Sequence, residues 1–452
     1  MNPLNKKLSA PFVSITKRRL LGLVILACFS ASGIWAQGTP AGDSGTDVND
    51  INRIFDVEKD KTSKREVKSD YPNRGGTFQY VDPTKRAYKL DMLVAADLVG
   101  KWDQEKVPTT NRQFRPREVE IGFFASIDHL GEGTLMAAAH NENGEVFFEL
   151  HEAFFQFNRT FIPNTSIKLG HFFYDVGRLN GIHRHDWSFT QAPVVHEELL
   201  DEEAVSDAGI EFKILMPWDF WQELVIGVFN GSFFGHTHSE GLTKANPLYT
   251  LHLKQFFPFW KTWGTQFGFS YLRWHPTENK RRVTHQSGID LLVKWKKGKL
   301  RSFQWLSEVW YRETRQTRRD ILENPAPPVE TRVGAYTFLE YQFHKEWYAG
   351  VRFDYFTDPN FRGTFGYTIP NGTEAQSFMI TWRPSEFAYY RVTLENKVDL
   401  SEDTNPIADF ILNSRTQQSI VSNLLQKKNG KSTLQLYFQA DFILGMHPPH
   451  VY

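Results

Sequence analysis

The 452-residue chain is short of three things. It has one cysteine, Cys28, which excludes a disulfide framework and a cysteine-based zinc site. Its 52 basic and 52 acidic side chains cancel, so no overall field draws in a nucleic acid, and no nucleic-acid partner is expected. Beyond the N-terminal region it has no apolar run near the roughly 20 residues a membrane helix needs. Low mean hydropathy and 40% hydrophobic residues suggest a soluble protein. That suggestion covers helical membrane proteins only, because a transmembrane barrel needs every second residue apolar and can be polar on average. What the chain has in excess is aromatic: 38 Phe, 16 Tyr and 13 Trp, or 15% of all residues.

The N-terminus reads as an export signal. Lys17, Arg18 and Arg19 precede the apolar run Leu20 to Cys28, and the small residues Ser30, Ala31, Ser32 and Gly33 follow. Basic, apolar, then small is the order of a cleaved secretory signal. Cleavage falls after Gly33 or after Ala36. A membrane anchor is the alternative, but Leu20 to Cys28 is too short to span. A lipoprotein reading of Ile25-Leu26-Ala27-Cys28 is weakened by the apolar character that continues past the cysteine. The expected organisation is residues 1–36 as signal peptide, 37–86 as a charged periplasmic arm, and 87–452 as the barrel. The arm, dense in charge from Asp47 to Asp70 and poor in aromatics, is expected to be mobile or weakly helical.

From Ala87 the apolar period is two. Leu434, Leu436, Phe438, Ala440, Phe442, Leu444 and Met446 alternate with Gln435, Tyr437, Gln439, Asp441, Ile443, Gly445 and His447. Successive strand side chains point to opposite faces, so this segment has one greasy and one mostly polar face. Val119, Ile121, Phe123, Ala125 and Ile127 repeat the pattern against Glu118, Glu120, Gly122 and Ser126. Sixteen such strands are expected, near 87–98, 117–128, 134–140, 146–157, 166–174, 206–215, 223–230, 248–256, 263–274, 287–296, 300–312, 331–343, 347–356, 375–383, 387–397 and 433–446. Short turns and long polar loops alternate between them, and both ends fall on the short-turn side. The fold class is an all-β transmembrane antiparallel barrel of about 16 strands, with 14 to 18 open. Aromatics near strand ends, such as Trp274, Tyr311, Trp347 and Trp382, fit interface girdles. A soluble sandwich or β-helix would not carry so many outward aromatics. The expected place is the outer membrane of a Gram-negative bacterium. The expected partners are outer-membrane lipid, the barrel-assembly machinery, and small solutes or cations.

A barrel of this size leaves an aqueous channel, and one loop is long enough to narrow it. Residues 175–205 carry the acids Asp175, Asp186, Glu197, Glu198, Asp201, Glu202 and Glu203 against only Arg178 and Arg184. Folded inward, such a loop favours cations over anions. Histidines gather here too: six of the 15 lie between His171 and His238. His183, His185 and His196, with carboxylates nearby, are candidate Zn²⁺ ligands, although no HExxH spacing is present. No other cofactor is expected. Without a GxSxG elbow or a Ser/His pairing, no enzyme is expected.

The layout resembles Gram-negative porins of the 16-strand type, whose third external loop bends into the lumen. Gly177-Arg178-Leu179-Asn180, His183, His185, Asp186-Trp187, Pro193-Val194-Val195 and the Glu197 to Glu203 run resemble a family labelled zinc-regulated TonB-dependent outer-membrane receptors. Met446-His447-Pro448-Pro449-His450 is similar to that family's C-terminus. The resemblance implies a link to zinc. It also implies a receptor with a globular plug, which the roughly 50 charged residues between signal and first strand cannot build. Porins of the resembling type are often trimers, so a homo-oligomer stays open. Two functions are carried forward: passive diffusion of small solutes past the 175–205 loop, and a surface adhesin or structural barrel that binds partners through its long loops.

Overall fold

The computed structural model describes residues 78–81, 87–103, 114–127, 131–142, 145–158, 160–231, 246–259, 262–276, 282–298, 300–316, 329–359, 371–400 and 432–445. The signal peptide, most of the charged arm and the Met446 to His450 motif lie outside them.

A short strand, β1 (Phe78–Val81), precedes sixteen longer ones. These are β2 (Ala87–Asp103), β3 (Phe114–Ile127), β4 (Gly131–Glu142), β5 (Glu145–Phe157), β6 (Thr165–Phe173), β7 (Ser206–Leu215), β8 (Trp221–Phe229) and β9 (Leu248–Phe259). They continue as β10 (Trp263–Trp274), β11 (Arg282–Lys297), β12 (Arg301–Gln316), β13 (Val329–His344), β14 (Trp347–Asp358), β15 (Asn371–Ser385), β16 (Ala388–Asp399) and β17 (Ser432–Gly445). Each of β2 to β17 pairs with its sequence neighbours, and β17 closes on β2 with Gln435 opposite Asp103 and Gly445 opposite Leu93. The result is a closed antiparallel barrel of 16 strands, which removes the open edges that lipid cannot satisfy. All sixteen strands read from the sequence are present, several of them longer by a few residues. β1 differs from the expectation of a mobile or weakly helical arm: it forms a hairpin with the start of β2, Phe78 opposite Leu90.

Parity sets the two faces. On β17, Leu436, Phe438, Phe442 and Leu444 are exposed on the outside, while Tyr437, Gln439, Asp441 and Ile443 are buried within. On β15, Phe378, Ile380 and Trp382 face out, and Ser377, Met379 and Thr381 face in. Aromatics meet across strands at the short-turn rim, where Trp347 stacks near Trp382 (6.1 Å between centroids) and Trp382 near Tyr390 (5.3 Å). Trp263 and Trp295 meet at 6.0 Å on the same rim. This is one interface girdle of a membrane barrel.

Among the described residues four strand pairs shift register, two beside short turns and two within the wall, on β3 and β5. On β3, Asp97 of β2 faces Glu118 but Leu98 faces Pro116, so Arg117 is extra. On β5, Met136 of β4 faces Glu152 but Ala137 faces Leu150, so His151 is extra. A bulge lets two consecutive side chains point the same way. Arg117 and Glu118 therefore both turn inward, as do His151 and Glu152. These bulges build the wall on which the long loop lands.

Candidate functional site

β6 is only nine residues long, and after Phe173 the chain leaves the wall for the lumen. The excursion, residues 174–205, is closed at its neck. Tyr174 N donates to Val205 O (3.0 Å). The fully buried Asn180 donates through Nδ2 to Tyr174 O (2.8 Å) and Val205 O (3.2 Å), and accepts from Val205 N through Oδ1 (2.8 Å). Inside are one 3₁₀ turn, Arg184–Asp186, and one short helix, α1 (Val194–Leu199).

Strands distant in sequence hold the loop. Gly177 N donates to Ser270 Oγ on β10 (2.8 Å), and Leu179 N to Glu308 Oε1 on β12 (2.9 Å). Val194 N donates to Asp354 Oδ1 on β14 (3.1 Å), and Gln286 on β11 donates to Leu199 O (3.2 Å). Arginines reach the loop's carbonyls: Arg391 that of Trp187 (2.9 Å), Arg117 that of Thr190 (2.7 Å), and Arg352 those of Gln191 and Ala192. The close approach at Gly177 needs glycine. Its φ is +60°, and a Cβ there would lie 2.7 Å from Glu308 Oε2 and from Trp310.

The second half of the loop carries most of its buried apolar residues, and Tyr174, Val176 and Leu179 of the first half join them. Trp187, Phe189, Val194, Val195, Leu199 and Leu200 are buried in one cluster with Leu272, Leu306, Trp310, Tyr336, Phe338 and Phe356 of the wall. Full burial of such side chains contributes about 1.5–3 kcal/mol each. An apolar core thus stands inside an otherwise polar lumen.

The acids read as a selectivity element take different places. Asp175 accepts from Lys213 Nζ (2.7 Å), Lys254 Nζ (2.9 Å) and His252 Nδ1 (2.9 Å). Burial alone would raise its carboxyl, but the two lysines hold it well below the ordinary range. Arg178 donates to Gln266 on β10 (3.0 Å). Asp186 lies 3.3 Å from His185 Nε2, and Glu197 accepts from Lys397 (2.9 Å). Asp201 is buried and accepts from Glu202 N. Glu203 is buried beside Arg184 and His151; against the upward push of burial, these two hold its carboxyl at about 2. Glu198 and Glu202 are exposed. Counting seven acids against two arginines therefore overstates the uncompensated charge of the loop. The compensating Lys213, Lys254 and Lys397 come from the wall, out of reach of a count along the loop.

The three histidines are not gathered at one point. His196 Nε2 sits 3.1 Å from Glu308 Oε2, with both side chains fully buried. That carboxylate also accepts from Arg178 N, Leu179 N, Trp310 Nε1 and Tyr336 OH. His183 and His185 instead face Glu120 on β3, His183 Nδ1 at 2.9 Å and His185 Nδ1 at 2.5 Å. Burial would lower the His185 imidazole, yet Asp186 and Glu120 raise it to about 9. Among the described residues, the groups of metal-binding size include His183 but neither His185 nor His196. They draw instead on Glu118, Glu120, His140 and His151 of the wall and on Glu203. Glu118 and Glu120 were legible as the polar face of a strand. His151 was not, and its signal was the paired polar residues His151-Glu152 inside an alternating segment.

The barrel superposes on an anion-selective porin from Comamonas acidovorans with a TM-score of 0.51, covering 79% of this chain and all of that one at 6% identity. The fold is that of an outer-membrane porin. The outward apolar belt and the closed 16-strand sheet put the chain in the outer membrane of a Gram-negative cell. The outer-membrane channel DcaP of Acinetobacter baumannii also aligns, at 8% identity and TM-score 0.48, over 81% of this chain and 99% of its own. In sequence, an uncharacterised protein of Aquifex aeolicus is 22% identical over 434 residues, 86% of this chain and 85% of that protein. No family model matches, so the label of a zinc-regulated receptor gains no support.

Proposed function

We propose that the chain is a non-enzymatic outer-membrane channel for the passive diffusion of small solutes, with residues 174–205 setting the passage. The observation that carries the reading is the loop's course. It leaves the wall after β6, crosses the lumen, and is held by β3, β10, β11, β12, β14 and β16. The porins it resembles in fold supply the precedent for diffusion through such a barrel. Cation preference is assigned to Glu198 and Glu202, the two acids of the loop that are exposed. Purified protein in planar bilayers should carry current and show a cation-biased reversal potential in a salt gradient, reduced in Glu198→Gln/Glu202→Gln. Folded protein that carries no current would sink the channel reading.

The apolar core inside the lumen favours a second reading, a structural or adhesive barrel that binds partners through its external loops. It predicts no conductance and partner binding that is lost when those loops are cut back.

A further inference from the structure

Where the loop begins and ends, four side chains converge. Glu120 on β3, His151 on β5, His183 early in the loop and Glu203 near its end each offer one ligand atom, all within 4.8 Å of one another. His151 Nδ1 is 2.7 Å from Glu120 Oε1 and 3.5 Å from Glu203 Oε1, and His183 Nδ1 is 2.9 Å from Glu120 Oε1. Two observations set this group apart from an ordinary ion-pair network. First, both oxygens of Glu203 are buried, at 1% exposure for the residue, without a hydrogen-bond partner among the described residues, and so are both of the neighbouring Glu118. Buried carboxylate oxygens without hydrogen bonds are costly, and an ion among these ligands is one way to satisfy those of Glu203. Second, the outer support of a metal site is present. His183 Nε2 is 3.3 Å from Glu152 Oε2, and Lys168 anchors Glu152 (3.4 Å). A ligating imidazole commonly keeps its second nitrogen on such a carboxylate.

We propose that Glu120, His151, His183 and Glu203 bind one divalent first-row transition cation, such as Zn²⁺, Co²⁺ or Mn²⁺. Two imidazoles and two carboxylates suit these ions, and the two negative charges balance the cation. Calcium and magnesium prefer all-oxygen sets. Ligand atoms in a tetrahedral shell of about 2.1 Å bonds stand about 3.4 Å apart, so the site closes with small side-chain movements. The ion bridges two wall strands and both ends of the lumen loop, so it locks the loop across the passage. The His151 bulge makes this possible by aiming His151 and Glu152 at the lumen together.

The test is titration of the refolded full barrel with Co²⁺ and Zn²⁺, followed by calorimetry and by Co²⁺ visible absorption. One ion per chain at micromolar affinity is expected, with His151→Ala and Glu203→Gln each weaker by about tenfold or more. Glu202→Gln, one residue away and exposed, should bind as the wild type does. No binding by the wild type, or unchanged affinity in both ligand variants, overturns the site. Should a variant fail to fold, wild-type Co²⁺ absorption decides: bands of a nitrogen–oxygen site support it, and the spectrum of the aqueous ion refutes it. The locking effect rests on the channel reading, and predicts that Zn²⁺ lowers wild-type conductance but not that of His151→Ala. A barrel that binds the ion and carries no current overturns the channel reading alone. One that conducts and binds no ion overturns the site alone.

Discussion

The two halves of the lumen loop are held by different balances of polar contact and apolar packing. Residues 174–186 carry the denser set of directed polar contacts, Asp175 on two lysines, Asn180 across the neck, His183 and His185 on Glu120, and add Tyr174, Val176 and Leu179 to the apolar cluster. Residues 187–200 rest mainly on an apolar core, with arginines on the backbone carbonyls and a few polar anchors: Val194 N on Asp354, His196 on Glu308 and Glu197 on Lys397. Polar contacts fix position and respond to charge and ions. Apolar packing is non-directional and indifferent to both. One loop can thus be firmly seated at one end and adjustable at the other.

Glu308 lies beneath both halves, and removing it should have the largest effect. Glu308→Ala strands five donors, four of them buried, at about 1–3 kcal/mol for each buried one. The loop should then be cut by protease in a barrel that still resists heat in detergent; a loop as protected as in the wild type would show that the joint is elsewhere. Next is Trp187→Ala, expected to loosen the apolar half by about 3–5 kcal/mol, with the same loss at low and high salt. Salt-dependent loosening would break the contrast between the halves. Asn180→Ala should cost about 2 kcal/mol at the neck, read as faster hydrogen exchange at Tyr174 and Val205.

A smaller effect concerns pH. The Asp175 carboxyl is lowered by its lysines, so its contribution is present above the ordinary carboxylate range and is lost only as pH falls through the lower folded value. Acidification from pH 7 to about 4 should leave that contact in place, whereas Asp175→Asn removes it and loosens the loop at either pH. Loosening of the wild-type loop at pH 4, tracked by proteolysis, to the extent seen in Asp175→Asn would contradict this. The least effect on stability is expected of Glu202→Gln, within about 0.5 kcal/mol, with the reversal potential as its only visible change.

Much of the barrel was legible because strand parity is a local property. Leu436, Phe438 and Phe442 announce an outer face without knowledge of any partner strand. The alternation of short turns with long loops located the 175–205 excursion for the same reason. The site was less legible, because its chemistry comes from pairs far apart in sequence. Lys213 and Lys254 neutralise Asp175 across a barrel turn, and Glu308 claims His196, which loop spacing had grouped with His183 and His185. The bulges at Arg117 and His151 add inward side chains that strict alternation assigns to lipid. Consecutive polar residues inside an alternating strand are the sequence trace of such a bulge.

The central claim is that residues 174–205 lie across the lumen and set what passes. Single-channel conductance of the barrel with residues 177–203 replaced by a short Gly/Ser linker, against the intact protein, tests it most directly. Conductance should rise several-fold, and the block by Zn²⁺ should disappear with the loop. Equal conductance with and without the loop would contradict the account.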